Sequence, residues 1–259
     1  MDGYVKSHTE HGITTIEFFH PQSNSLPGKI LEQITQEIHY YSTHESKVVI
    51  LKSGGEGAFC AGASFDELAS IKNEREGLHF FQRFANLING MRKCNKLIIG
   101  RIHGKCVGGG VGIAAACDYA IALNIAEIKL SELSIGIGPF VVGPAVERKI
   151  GISAFSQLAI DATLWRNADW AKKKGLYAEV HESVQNMDES LYRLANSLAH
   201  TSPEAMMEIK RVFWKGTESW DMLLNERAAI SGKLILSDFS KNAITNFKSK
   251  PKKTSIVKG

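Results

Sequence analysis

Two periodicities alternate along the first half of the chain. Residues 12–19 (GITTIEFF) read as a strand, and residues 47–52 (KVVILK) as a short buried strand bounded by Ser-Gly-Gly. Residues 97–102 read as a third strand. Between them, Ile30, Leu31, Ile34, Ile38 and Tyr41 recur at helical spacing over 30–41. A short helix is predicted over 65–71. A longer one is predicted over 78–92, with Phe80, Phe81, Phe84, Leu87, Ile88 and Met91 on its apolar side. Residues 20–27 (HPQSNSLP) form a loop by their Pro, Asn and Ser content. The order strand, helix, strand, helix, strand predicts an α/β core with parallel strands.

Further along, residues 108–117 begin in glycine and continue in alanine, which predicts a helix opening at a glycine-rich turn. Residues 119–123 and 126–130 read as short strands. After about residue 188 the strand signal fades, and 191–200, 203–215 and 219–236 all carry helical patterns. This divides the chain into a core, 1–195, and a helical appendage, 196–259, whose lysine-rich end (247–258) is predicted to be loosely ordered.

Composition narrows the class of molecule. The chain has 259 residues, 44% of them apolar, enough for a sizeable core and too many for disorder. A net charge of +4 is too small to name nucleic acid as a partner. The most apolar stretch, 108–125, is interrupted by Asp118, so no bilayer span is predicted, and the first residues lack an apolar signal core. Cys60, Cys94, Cys106 and Cys117 show no CxxC spacing and read as small buried apolar residues in a reducing cytoplasm.

Several chemistries are missing. No GxSxG or HExxH pattern occurs, and the histidines lack metal-ligand spacing. His103, beside a glycine turn, reads as a structural, hydrogen-bonding residue. Three segments remain. In 58–63 (AFCAGA), small residues let a ligand approach the backbone. In 108–112 (GGGVG), a bare helix N-terminus offers unpaired N–H groups and partial positive charge, suited to an anion or a developing oxyanion. In 131–136 (SELSIG), Glu132 stands in an apolar stretch that would raise its pKa, as a general acid or base requires. The second segment also matches G-x-G-x-x-A through Gly110, Gly112 and Ala115. That supports a rival dinucleotide site with Glu127 or Glu132 as ribose partner.

Together the three segments resemble the crotonase superfamily, the enoyl-CoA hydratase/isomerase family. FCAGAS at 59–64 resembles its FCAGAD, 100–118 its second glycine block, and SELSIGIGP at 131–139 its acidic loop. KNAITNFKSKP at 241–251 is similar to the family's ending. The resemblance implies an α/β fold, a spiral of ββα units followed by an α-helical trimerisation region, and hence a homotrimer or dimer of trimers. It implies an acyl-CoA thioester substrate, with coenzyme A as part of the substrate and no separate cofactor. The thioester oxygen would be held by the N–H groups of Ala63 and Gly109, with Glu132 as acid/base. Ala61, Ser64, Phe65, Gly112 and Phe140 would contact substrate, and Phe140 and Val141 would shape the acyl pocket.

The family's hydratases often use a second glutamate, whose position here is Gly112; Ser64 likewise replaces a usual Asp. Asp66, Glu67 and Asp118 are nearby acids, none at a matching position. Three chemistries stay open: hydration with one carboxyl, isomerisation between 3-enoyl and 2-enoyl thioesters, and decarboxylation. A finer resemblance to methylglutaconyl-CoA hydratases puts hydration of a short or branched enoyl-CoA first and isomerisation second. A non-catalytic scaffold of the same fold is the competing class. The tail lysines (Lys248, Lys250, Lys252, Lys253) read as a solvated basic end rather than a contact to the coenzyme phosphate.

Overall fold

The computed structural model describes residues 3–249. A six-stranded sheet runs in the order β1-β2-β3-β4-β6-β8, and β5 pairs with β7 in a small second sheet. The strands are β1 (Tyr4–Glu10), β2 (Ile13–Phe19), β3 (Val48–Ser53), β4 (Leu97–Ile102), β5 (Cys106–Val107), β6 (Tyr119–Leu123), β7 (Ile128–Lys129) and β8 (Glu179–His181). Within the six-stranded sheet β1 and β2 pair antiparallel, and β2-β3, β3-β4, β4-β6 and β6-β8 are parallel. The first four residues of central β3, Val48 to Leu51, are an unbroken apolar run because they are buried on both faces.

The helices lie between and after the strands: α1 (Gly28–Thr43), α2 (Phe65–Ser70), α3 (Glu74–Lys93), α4 (Gly109–Ala116), α5 (Gly143–Ile160), α6 (Ala168–Lys173) and α7 (Val184–Ala199), then α8 (Pro203–Phe213), α9 (Trp220–Leu234) and α10 (Asp238–Ser249). α4 is apolar all round and buried from Gly110 to Ala116, so it forms part of the core. α9 packs along α3, and α10 folds back over α2 and the short turn at Glu132–Ile135.

Several sequence expectations need correction. β1 was not foreseen: its residues alternate at an exposed edge and leave little apolar signal. The strand over 126–130 shrinks to Ile128–Lys129. α3 starts at Glu74, capped by Asn73, whose side chain accepts from the Glu76 N–H. α5 lacks a clean apolar stripe and is bent at Gly151, which hides it from periodicity. Residues 247–249, expected to be loose, belong to α10: Phe247 stacks on Phe65 at 4.2 Å and Lys248 pairs with Asp66 at 2.7 Å. Lys250, Lys252 and Lys253 lie outside the described residues. Residue 196 falls in the last turn of α7.

Candidate active site

The first wall of the site is the loop from β3 to α2. Asn24 ties it down, donating Nδ2 to the carbonyls of Gly54 and Ala58, both at 2.9 Å. Cys60 then joins it to β5: its N–H donates to Lys105 O (3.2 Å) and its carbonyl accepts from Val107 N (2.9 Å). Gly62 has φ +89°, and a Cβ there would stand 2.8 Å from Val107 O. Only glycine allows this loop to lie so close to the start of α4.

The close approach leaves two N–H groups unused. Leu26 bridges Ala63 through bonds to Gly62 O (2.7 Å) and from Ser64 N (3.2 Å). The Ala63 N–H therefore faces away from Leu26, as parallel pairing requires. Gly109 opens α4, so its N–H has no acceptor within the helix. Among the described residues neither group donates to the fold. Both residues line one cleft of about 560 Å³, part of it open to solvent. Two preorganised donors and a helix N-terminus make that cleft a place for negative charge on oxygen.

The second wall carries the carboxyl. Glu132 opens the short 3-10 turn Glu132–Ile135. Its carboxyl lies on Gly108, where an added Cβ would stand 2.9 Å from Oε1. Oε2 is buried without a hydrogen-bond partner. Burial pushes the pKa up to about 7, opposed only by a hydrogen bond from its own backbone. No other titratable side chain lines the cleft among the described residues. The remaining wall is apolar, from Phe81 and Phe84 of α3 to Val141 and Val142, with Ser231 of α9 beside them.

The structure thus gathers Ala61, Ala63, Phe65, Gly109, Glu132 and Phe140 around one cleft. It does not bring Ser64 or Gly112 there. The Ser64 hydroxyl is turned into the helix and accepts from the Glu67 N–H as the N-cap of α2. Gly112 is covered by Val142: a Cβ would meet Val142 Cγ1 at 2.5 Å. The nearby acids have other partners. Asp66 binds Lys248 and Glu67 accepts from the Gly28 N–H (2.9 Å). Asp118 pairs with Lys210 at 2.8 Å.

The dinucleotide reading fails on the same geometry. Gly110 is pressed against Cys60, with a Cβ only 2.4 Å from its carbonyl oxygen, and Gly112 against Val142, so neither glycine exposes backbone to a pyrophosphate. Glu127 is paired with Lys105 at 2.7 Å. His103 is buried with neither ring nitrogen hydrogen-bonded among the described residues; burial lowers its pKa to about 4, so it packs as a neutral ring rather than bridging partners. The four cysteines are buried and unpaired, as their spacing implied.

Sequence reasoning left several wall residues unassigned, Phe84, Val142 and Ser231 among them. Phe84 was visible as part of the apolar face of α3. Val142 stood in the same PFVV run as Phe140. Ser231 carried no signal, because only tertiary packing of α9 on α3 brings it to the cleft. No helix among the described residues is long and apolar enough to cross a membrane, and no group of three or more His, Cys, Asp or Glu there could hold a metal ion.

Comparison with known proteins identifies the family and the fold. The family model described as enoyl-CoA hydratase/isomerase matches residues 8–254. A mitochondrial methylglutaconyl-CoA hydratase of Mus musculus is 29% identical over 201 residues, 75% of this chain and 63% of the relative. A peroxisomal Delta(3,5)-Delta(2,4)-dienoyl-CoA isomerase of Arabidopsis thaliana is 26% identical over 213 residues, covering 76% and 75%. The fold matches the crystal structure of an enoyl-CoA hydratase from Bacillus halodurans with a TM-score of 0.86 at 20% identity, over 94% of this chain and 99% of that one. With two free N–H donors, a buried carboxyl and a family match along nearly its whole length, the chain belongs to the enoyl-CoA hydratase/isomerase family.

Proposed function

We propose that this enzyme shifts the double bond of a short or branched enoyl-CoA thioester with Glu132 as its one acid/base. The observation that carries the reading is the carboxyl itself: alone among titratable groups lining the cleft in the described residues, buried, unpartnered at Oε2, with a pKa near neutrality. A base that must accept and release a proton near pH 7 works best with such a pKa.

The thioester oxygen accepts hydrogen bonds from Ala63 N–H and Gly109 N–H. Glu132 takes a proton from C2 of a 3-enoyl chain. The electron pair of that C–H bond moves into the C1–C2 bond, and charge develops on the oxygen. Glu132 then returns the proton to C4, the C2–C3 double bond forms, and the carbonyl is restored. Stabilising the charged oxygen is the largest single contribution; one such donor is worth ~3 kcal/mol in other enzymes. Coenzyme A enters as part of the substrate, and no step needs a separate cofactor. Phe81, Phe84 and Val142 give the acyl chain an apolar wall.

Hydration is the second reading, favoured by the hydratase relative from mouse. Glu132 would then deprotonate the water adding to C3 and protonate C2. Exposed apolar side chains on the helical region, Val212 (63%), Met222 (69%) and Phe239 (64%), support assembly as a homotrimer or dimer of trimers. The unpaired cysteines support a reducing compartment such as the cytoplasm.

The test is a paired assay on purified protein. A 3-enoyl-CoA should gain conjugated enoyl absorbance, whereas crotonyl-CoA and 3-methylglutaconyl-CoA should lose little. Loss with the second pair and no gain with the first would make the enzyme a hydratase. Silence with all three would end both readings.

A further inference from the structure

The three segments that build the cleft are neighbours in one narrow sheet. Cys60 bridges Cys106, Cys106 and Val107 of β5 pair with Ile128 and Lys129 of β7, and Ile128 bridges Arg166. The first two pairings are parallel, so the chain leaves all three segments at the same end, where ligand sites of parallel strands form. Ala63 lies three residues beyond Cys60, Gly109 two beyond Val107, and Glu132 three beyond Lys129. The last rung before the site is the Gly108 N–H donating to Lys129 O at 2.9 Å. The spacing between the N–H donors and the carboxyl is therefore inherited from this sheet. With two residues in each of β5 and β7, the ladder alone is a weak frame.

The two faces of the sheet are fastened differently. On the buried face the Tyr177 hydroxyl lies 3.1 Å from Ala126 O and 3.7 Å from Cys106 Sγ. On the other face the half-buried Trp165 ring takes an ammonium group from each strand segment. Lys105 Nζ stands 4.6 Å from a ring centroid of Trp165 and Lys129 Nζ 4.4 Å. The ring is itself tied to β7, because the next residue, Arg166, exchanges backbone bonds with Ile128 at 2.8 and 3.0 Å. Lys105 also pairs with Glu127 at 2.7 Å, whereas Lys129 has no carboxylate partner among the described residues. Burial, and then the charge of Lys105, hold the Lys129 pKa below its ordinary value. Without the ring, two like charges on neighbouring strands would face each other with no group attracting both.

We propose that Trp165 is a positioning residue: by binding Lys105 and Lys129 at once it fixes β5 against β7, and with them the Gly109 N–H against the Glu132 carboxyl. Trp165 does not line the cleft and acts only through these two strands. The proposal rests on the enolate-forming reading above and holds for isomerisation and hydration alike, since both charge the same oxygen and use the same carboxyl.

The experiment compares wild type with three variants. Trp165→Leu removes the ring, Trp165→Phe keeps a smaller one, and Lys129→Met keeps the ring but removes one ammonium. The probe is acetoacetyl-CoA, whose enolate absorbs in the near ultraviolet and presents a charged oxygen to the donors. Butyryl-CoA, uncharged at that oxygen, reports ordinary thioester binding. Trp165→Leu should weaken enolate binding relative to butyryl-CoA by ~10-fold and lower kcat by a similar factor, because a misplacement of ~1 Å can cost ~10²-fold. Trp165→Phe should restore most of that loss, and Lys129→Met should show part of it. Affinity for butyryl-CoA should stay near the wild-type value throughout.

An unchanged binding ratio and kcat in Trp165→Leu, even with a lower melting temperature, makes the ring merely structural and overturns the proposal. Equal losses in the Leu and Phe variants overturn it as well, because the ring would then not be the cause. If Trp165→Leu does not fold, Lys129→Met decides: a fall in the ratio supports the role and no change overturns it. A wild type that binds no enolate overturns the oxyanion reading and this proposal together. If wild type binds the enolate but turns over no enoyl-CoA, the double-bond reading falls alone, and the binding ratio still decides Trp165.

Discussion

Two buried carboxyls, Asp118 and Glu132, sit in the same molecule and are treated in opposite ways. Asp118 stands at the start of β6, its side chain 4% exposed, and each oxygen is used. Oδ2 accepts from the Ile98 N–H and Lys210 Nζ, both at 2.8 Å, and Oδ1 accepts from Trp214 Nε1 at 3.0 Å. Lys210 is as buried as its partner. Glu132 has no cation, no indole and one unpartnered oxygen. The first arrangement locks β4, β6 and α8 together. The second holds a proton loosely enough to move it. Burial alone does not make a carboxyl reactive; burial without partners does.

Replacing each carboxyl should separate these roles. Glu132→Gln should lower turnover of enoyl-CoA by ~10²- to 10⁴-fold, measured as kcat, with binding of a saturated acyl-CoA little changed. The same variant should be more stable than wild type at pH 8. Because burial raises the carboxyl's pKa, the folded state holds the proton more tightly, and stability falls as pH rises from about 4.3 to about 7. Gln escapes that loss, so denaturant melts should show a gain of up to ~3 kcal/mol at pH 8 that disappears near pH 4.

Asp118→Asn should do the reverse. It leaves Lys210 buried without its counter-charge, which costs ~3–5 kcal/mol in stability, read from the same melts. Below the melting transition, turnover should persist. A smaller effect sharpens the contrast at Ser64. If its hydroxyl only caps α2, Ser64→Ala costs ~1 kcal/mol of stability and leaves KM unchanged. A rise in KM without loss of stability would restore the substrate contact that the sequence resemblance implied.

How much of this was legible beforehand differs between backbone and side chains. The parallel core was readable, because β3 is an apolar run and α1 and α3 carry their periodicity on one face. Glu132 and the bare helix N-terminus at 108–112 were readable because a carboxyl in apolar sequence and a glycine-rich helix start are local features, whereas Ala63 and Gly109 as the two donors came from the family resemblance. Ser64 and Gly112 were not readable, since their roles depend on what packs against them: the turn of α2 for one, Val142 for the other. The hidden elements share a physical cause. β1 is an exposed edge with polar residues, and α5 is bent at Gly151 and lacks a single apolar face.

The most direct measurement is the pH dependence of kcat/KM for a 3-enoyl-CoA. One carboxyl base with a pKa near 7 predicts a rate that rises through a single ionisation near pH 7 and then levels off, and a Glu132→Gln variant whose residual rate, ~10²- to 10⁴-fold lower, no longer shows that ionisation. A bell-shaped profile with two ionisations, or a Gln variant that retains the wild-type rate, would contradict the one-carboxyl account.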